Sequence, residues 1–409
     1  MEGQEEGVRL RLREWIFSKL SAYWQRRQKR VAVTRLTAYS LWHDAERLPI
    51  PVATAPAATA RPIDVPGRPA VRGPRRPKGD LMKNPIKTFI KPLLPLADIV
   101  LAPAVYPAGL LLKAIRRAGV QRLPLCKRAL MQVGVFPIRK HYFEPLFDMR
   151  KLSRPLAQER ILPGIDWNVS GQIKLLECFC FNEELKDVPK TGLDELTFHI
   201  NNKSFESGDA EFLYNLIRFK KPARIFEIGS GNSTLIARKA IKRNQAEVSG
   251  YQCKHLCIEP YEMPWLEKLG VTLMRQKVEE VDKAIFAELE NNDILFIDSS
   301  HIIKPQGDVL FEYLELLPAL KSGVIVHIHD IFSPRDYSKE WVIDEVLFWN
   351  EQYLLEAFLT CNRDWKVLGA LNYLRHNYFE ALQAQCPFLT KDSEPGSFYI
   401  QKIAGAQMQ

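Results

Sequence analysis

Residues 224–240, R-I-F-E-I-G-S-G-N-S-T-L-I-A-R-K-A, leave the chain few folds to choose from. Ile225, Phe226 and Ile228 make a short apolar strand that runs into the turn Gly229, Ser230, Gly231. Asn232, Ser233 and Thr234 then offer caps for a helix whose apolar run opens at Leu235. Strand, glycine turn and helix, in that order, build the nucleotide corner of an α/β sheet at the carboxyl end of its first strand.

The alternation continues through the next hundred residues. Apolar strands are expected at 224–228, 255–259, 271–274, 293–298 and 323–329, and helices between them at 234–243, 263–269, 278–290 and 305–320. Near-continuous apolar strands separated by helices indicate a buried, mostly parallel sheet, so the fold class is α/β and doubly wound. An amphipathic helix at 206–219 precedes the sheet. A helical stretch at 340–360 carries Trp341, Phe348, Trp349, Tyr353 and Phe358, and two last strands at 366–371 and 396–402 suit an antiparallel edge.

The net charge of +9 belongs to the leader. Residues 1–80 hold 16 Lys+Arg against 8 Asp+Glu, so the other 329 hold 41 against 40, which argues against specific nucleic-acid binding by the body. Residues 8–47 read as a weakly ordered basic segment with helical spacing, and eight prolines between Pro49 and Lys78 as a disordered linker. Composition breaks at Met82, which is expected to be the physiological start, with 1–81 an upstream extension, 82–204 a helical N-terminal region and 205–409 the sheet domain. From Pro92 to Leu112 the only charge is Asp98, with Lys83, Lys87 and Lys91 before and Lys113, Arg116 and Arg117 after. Packing on the protein itself is the first expectation for this run. An interfacial helix giving peripheral membrane contact through 86–117 is the second, and a true span the last, because Pro92, Pro95, Pro103 and Pro107 interrupt it. Seven cysteines without paired zinc spacing read as reduced thiols, and the charged opening of the chain lacks a secretory h-region, so a cytoplasmic location is expected, peripheral on the membrane's inner face at most.

The glycine loop is not a dinucleotide fingerprint, because Thr234 stands where the third glycine belongs. Glu227, two residues before Gly229, is expected at the strand's mouth. There it would repel a pyrophosphate and suit a ligand that carries an ammonium and a sulfonium but no phosphate, namely S-adenosylmethionine (SAM). Glu259 ends the second strand, where an acceptor takes both ribose hydroxyls. Asp298 ends the fourth strand and Asp330 the fifth.

Taken together, E-I-G-S-G-N-S-T, C-I-E-P-Y, F-I-D-S-S-H and V-H-I-H-D-I-F resemble class I SAM-dependent methyltransferases, and more narrowly the branch of macrocin-type O-methyltransferases and cephalosporin-hydroxylase-like proteins. The resemblance covers about residues 205–405. It implies a Rossmann-like sheet of seven strands with a terminal antiparallel hairpin. It also implies that Glu227, Gly229, Gly231 and Ser233 meet the methionine part of SAM, with Glu259 on the ribose and Asp298 beside the methyl group. In that branch the D-x-x-H spacing of Asp298 and His301 supplies a Mg²⁺ ligand and a base, so His301 is the expected base and Asp298 orients acceptor or metal. Asp330 fits a second Mg²⁺ ligand. His329 departs from the tandem oxygen donors of metal-binding members, and is expected instead near the substrate with Asp336 and Tyr337. His327 is expected on the opposite face of the strand from His329, as a core group. The expected activity is methyl transfer to a hydroxyl of a small-molecule or saccharide acceptor. The alternatives are a nicotinamide-dependent oxidoreductase and a non-catalytic adaptor.

Overall fold

The computed structural model describes residues 93–261 and 263–403, all within the unit Pro92–Gln409; the basic segment, the proline-rich linker and the Met82 boundary lie outside them. The described residues begin with α1 (Leu94–Ala118), α2 (Pro124–Val133), α3 (Val169–Glu177) and α4 (Asp209–Lys220). The chain then alternates through β1 (Arg224–Ile228), α5 (Asn232–Glu247), β2 (Lys254–Ile258), β3 (Thr272–Met274), β4 (Ile294–Ile297), α6 (Asp308–Phe311), β5 (Ile325–Ile328), α7 (Glu351–Leu359), β6 (Trp365–Ala370), α8 (Leu371–Asn377) and β7 (Phe398–Lys402).

The seven strands form one sheet in the order β3-β2-β1-β4-β5-β7-β6, in which β7 runs antiparallel between β5 and β6. The order reverses between β1 and β4, the point at whose carboxyl ends open α/β sheets bind their ligands. Successive residues feed two cores. Phe226, Ile228, Leu295, Ile297, Val326 and Ile328 face one layer, and Ile225, Ile294, Phe296 and Ile325 face the layer under α4 and α5. Leu176, Phe179, Leu185, Phe198 and Phe205 join that second core, so residues on both sides of position 205 share one interior.

Three local expectations change. The expected helix at 278–290 is two short 3₁₀ turns, Val278–Glu280 and Lys283–Glu288, because the Asp282 carboxylate caps Ala284 N and starts a new turn. The stretch at 340–360 is not one helix. The backbone N–H groups of Asn350 and Glu351 donate to the His301 carbonyl (2.9 and 3.2 Å) rather than to the preceding turn, and α7 begins only at Glu351. The part of the Pro92–Leu112 run that is described does not pack into the core: residues 94–112 lie in α1, a continuous helix through Pro103 and Pro107 with no buried residue.

Candidate active site

Strand ends of β1, β4 and β5 converge through backbone hydrogen bonds that continue the sheet: Gly229 N to Ile258 O (3.0 Å), Asp298 N to Ile228 O (2.8 Å) and His329 N to Ile297 O (2.9 Å). Gly229 lies in the left-handed region (φ 76°). Gly231 is extended, and among the described residues a Cβ there would meet only Met263 Cε at 3.9 Å, so none of them crowds this glycine beside the helix N-terminus. Thr234 has its own task. Its hydroxyl accepts from Gly231 N (3.1 Å) and donates to the Glu227 carboxylate, tying loop, helix and strand together. Ser233 is buried in the first turn of α5, and the buried Ser230 hydroxyl has no hydrogen-bond partner among the described residues.

Glu227 is not at the strand's mouth. It registers against Cys257 on the face covered by α5, is fully buried, and lies 3.4 Å from His255 Nε2. Its reach to the loop is indirect, through Thr234. Glu259 is where expected, with its carboxylate accepting from Tyr261 N (2.9 Å) and Ser230 N (3.4 Å), beside the loop.

The second half of the site is a charged cluster at the ends of β4 and β5. His301 Nε2 lies 3.3 Å from Asp298 Oδ1 and 3.5 Å from Asp330 Oδ2, and its Nδ1 lies 2.8 Å from Glu351 Oε2. Both His301 and Asp330 hold positive φ (57° each), a conformation that side chains seldom adopt and that sites retain when their surroundings over-determine it. Burial would lower the His301 pKa, but the Asp298 and Glu351 carboxylates outweigh it and hold it well above the ordinary range. Burial would raise Asp298, and the contact with His301 and the charge of His329 keep it below the usual carboxylate range. Asp330 is raised by burial, against His329 and His301.

Glu351 escaped the sequence reading. It is buried at the start of α7 and accepts from Tyr313 Oη (3.1 Å), and the ring of Trp349, two residues earlier, lies 4.4 Å from that of His301. Its signal was Asn350, a helix-breaking residue inside a supposed helix.

His327 and His329 are on the same side of the sheet, not opposite sides. Residues two apart in a strand share a face, and both rings contact Phe205 (6.0 and 5.1 Å). His327 stacks on Tyr399 (4.4 Å), and burial keeps it neutral, well below its ordinary pKa, as a core group. His329 accompanies Asp330, Asp209 and Lys203 in the wall of a polar cavity of about 910 Å³. Asp336 and Tyr337 line a neighbouring, more apolar cavity of about 770 Å³ with Leu152, Leu156 and Ile343, and the two cavities share Phe332, Ser338 and Glu394. Asp336 is held by Arg160 (3.3 Å) and Tyr353 Oη (3.1 Å), and Tyr337 is buried among aromatic rings.

Residues 226–331 match the family model described as a methyltransferase domain. An uncharacterized protein of Archaeoglobus fulgidus is 32% identical over 182 residues, covering 40% of this chain and 78% of that protein. Among solved structures, an O-methyltransferase from Bacillus cereus in complex with SAH is similar at 12% identity and TM-score 0.29, over 57% of this chain and 91% of that one. The MycE methyltransferase of the mycinamycin pathway, with Mg, SAH and mycinamycin VI, is similar at 12% identity and TM-score 0.28, over 47% and 49%. Those scores are too low for either structure to carry weight here. The extent of the archaeal likeness and the matched domain do: this chain belongs to the family of the Archaeoglobus protein, and residues 226–331 are its methyltransferase domain.

Proposed function

We propose that the domain transfers a methyl group from SAM to a hydroxyl of a small-molecule or saccharide acceptor held at Asp298, His301 and Asp330. The observation that carries the reading is the convergence of a glycine loop, uncrowded at Gly231 by any described residue, and a His–carboxylate cluster on the adjoining strand end. The loop fits the cofactor. Among the described residues none crowds Gly231 and none partners the Ser230 hydroxyl beside it, and Glu259 stands at the end of β2.

Methyl transfer to a hydroxyl needs the acceptor in line with the sulfonium and a group to take its proton. His301, anchored by Glu351, is the proton acceptor, and Asp298 orients the hydroxyl. The carboxylates around His301 raise its pKa, which makes its neutral form a stronger base and moves the rise in rate toward alkaline pH. The donor set suits an oxygen-seeking divalent cation held by Asp298 and Asp330, which leaves His301 Nε2 to take the proton. Mg²⁺ held there would lower the pKa of a bound hydroxyl. The polar cavity beside Asp330 suits a polyol, and the adjoining apolar cavity leaves space for a less polar part of the same acceptor.

Calorimetry on the full chain tests the cofactor: SAM and S-adenosylhomocysteine bind, and Gly231→Val abolishes binding without moving the melting transition. Absence of binding by the wild type ends the reading. Transfer of labelled methyl from SAM to a panel of polyols, with and without EDTA, tests acceptor class and metal. Transfer to amines alone overturns the hydroxyl assignment.

A further inference from the structure

Helix α1 exposes apolar side chains on every side. Leu94, Leu96, Ile99, Val100, Leu101, Val105, Tyr106, Leu110 and Leu111 are each 51–72% exposed, and no residue of the helix is buried. At 100° per residue, these nine positions leave no sector of the circumference wider than about 100° uncovered. A helix that docks in a protein groove presents one apolar stripe and a polar back. Here the apolar surface goes all the way round, which calls for apolar surroundings all the way round. The helix has 25 residues, about 37 Å at 1.5 Å per residue, against about 30 Å of bilayer hydrocarbon. Pro103 and Pro107 do not interrupt it, and prolines are tolerated in bilayer helices.

The end of the helix is built for a headgroup layer. Lys113, Arg116 and Arg117 close α1, and Arg122, Lys127 and Arg128 follow immediately, with Leu125, Met131 and Val133 exposed among them. Glu144 receives both Arg116 Nε (3.0 Å) and Arg139 Nε (2.9 Å), and those guanidiniums hold its carboxyl down at about 2. This tie fixes the neighbouring Tyr142 and Phe143, 92% and 84% exposed, at the level of the helix's basic end. Apolar rod, basic collar and exposed aromatic pair at one level are the order in which a bilayer presents hydrocarbon, phosphate and interface.

We infer that residues 94–112 are embedded in the hydrocarbon of a lipid bilayer, with Arg116, Arg117, Tyr142 and Phe143 at an anionic headgroup surface, and that the methyltransferase domain works attached to a membrane. The purified full chain, mixed with vesicles of phosphatidylcholine and phosphatidylglycerol, floats with them and stays bound after a high-salt, alkaline wash. Protease treatment of the vesicle-bound protein leaves a protected fragment containing 94–112. The double variant Leu101→Arg, Val105→Arg reduces vesicle binding by about a hundredfold or more and leaves the melting transition of the domain unchanged. The inference is overturned if the wild type stays with the soluble fraction, or if salt alone releases it. It is also overturned if 94–112 is cleaved in the presence of vesicles, or if light scattering shows instead a lipid-free oligomer that the double variant dissociates.

Discussion

A Cβ placed on Gly229 would come within 1.8 Å of the Asp298 carbonyl oxygen, because the loop after β1 passes directly beneath the loop after β4. Gly231, two residues on, has no such neighbour among the described residues. The two glycines of the loop therefore separate by experiment. Gly229→Ala forces the backbones apart and lowers the melting temperature together with SAM binding. Gly231→Ala keeps the wild-type melting temperature, and any loss it shows is in binding alone. Differential scanning fluorimetry beside calorimetry checks both, and equal destabilisation by the two variants contradicts the distinction.

Glu351 is a positioning residue for His301, placed across the ring from Asp298. Glu351→Gln keeps a partner for Nδ1 and removes a charge that holds the imidazole protonated. The His301 pKa then falls, as read from histidine NMR chemical shifts against pH. Affinity for SAM is unchanged. An unshifted His301 titration contradicts the assignment.

Burial pushes the Glu211 carboxyl up to about 7, although it accepts from the backbone N–H groups of Gly208 and Phe388. Its folded pKa is above its unfolded one, so its contribution to stability is complete below about 4.5 and is lost as pH rises to about 7, on the order of 3 kcal/mol. Urea midpoints measured across this window fall for the wild type by that contribution. Glu211→Gln, which does not ionise, flattens the profile, and a variant with the wild-type slope shows that another group is responsible.

Arg218, 1% exposed, pins α4 to its surroundings through Glu184 (2.8 Å) and Glu247 (2.5 Å) and lies 4.6 Å over the Phe181 ring. Arg218→Met costs about 2–3 kcal/mol in chemical denaturation, less than for a wholly buried pair because both glutamates keep part of their hydration. Adding Glu184→Leu recovers part of the loss, since the stranded carboxylate goes with it. Strict additivity of the two substitutions contradicts the coupling.

The sheet was legible because its strands are apolar on both faces and separated by turns, and each expected strand, including the last pair, lies within a few residues of an observed one. The site was legible where a residue ends a strand, as at Gly229, Asp298 and Asp330. It was not legible where the outcome hangs on side-chain direction. Glu227 turns into the interior because its place in the strand alternates it there, and His327 and His329 share a face for the same reason. Glu351 comes from fifty residues further on, and no local pattern announces that the His301 carbonyl will start its helix. The exposure of α1 was equally hidden, because apolar composition alone does not distinguish a core helix from one with nothing around it.

Strand β7 follows the glycine loop by more than a hundred and fifty residues, yet it borders the candidate site. Ile331 N donates to Gly396 O (2.7 Å), Gly396 N and Ser397 N donate to Asp209 (3.2 and 2.7 Å), and a Cβ on Gly396 would come within 3.2 Å of Asp330 Cα. While the chain is being synthesised, the glycine loop and Asp298 exist for roughly a hundred residues before the wall behind Asp330 does. A chain that stops before Gly396 therefore carries a half-open pocket, and the wall behind Asp330 closes only once this late segment has been added.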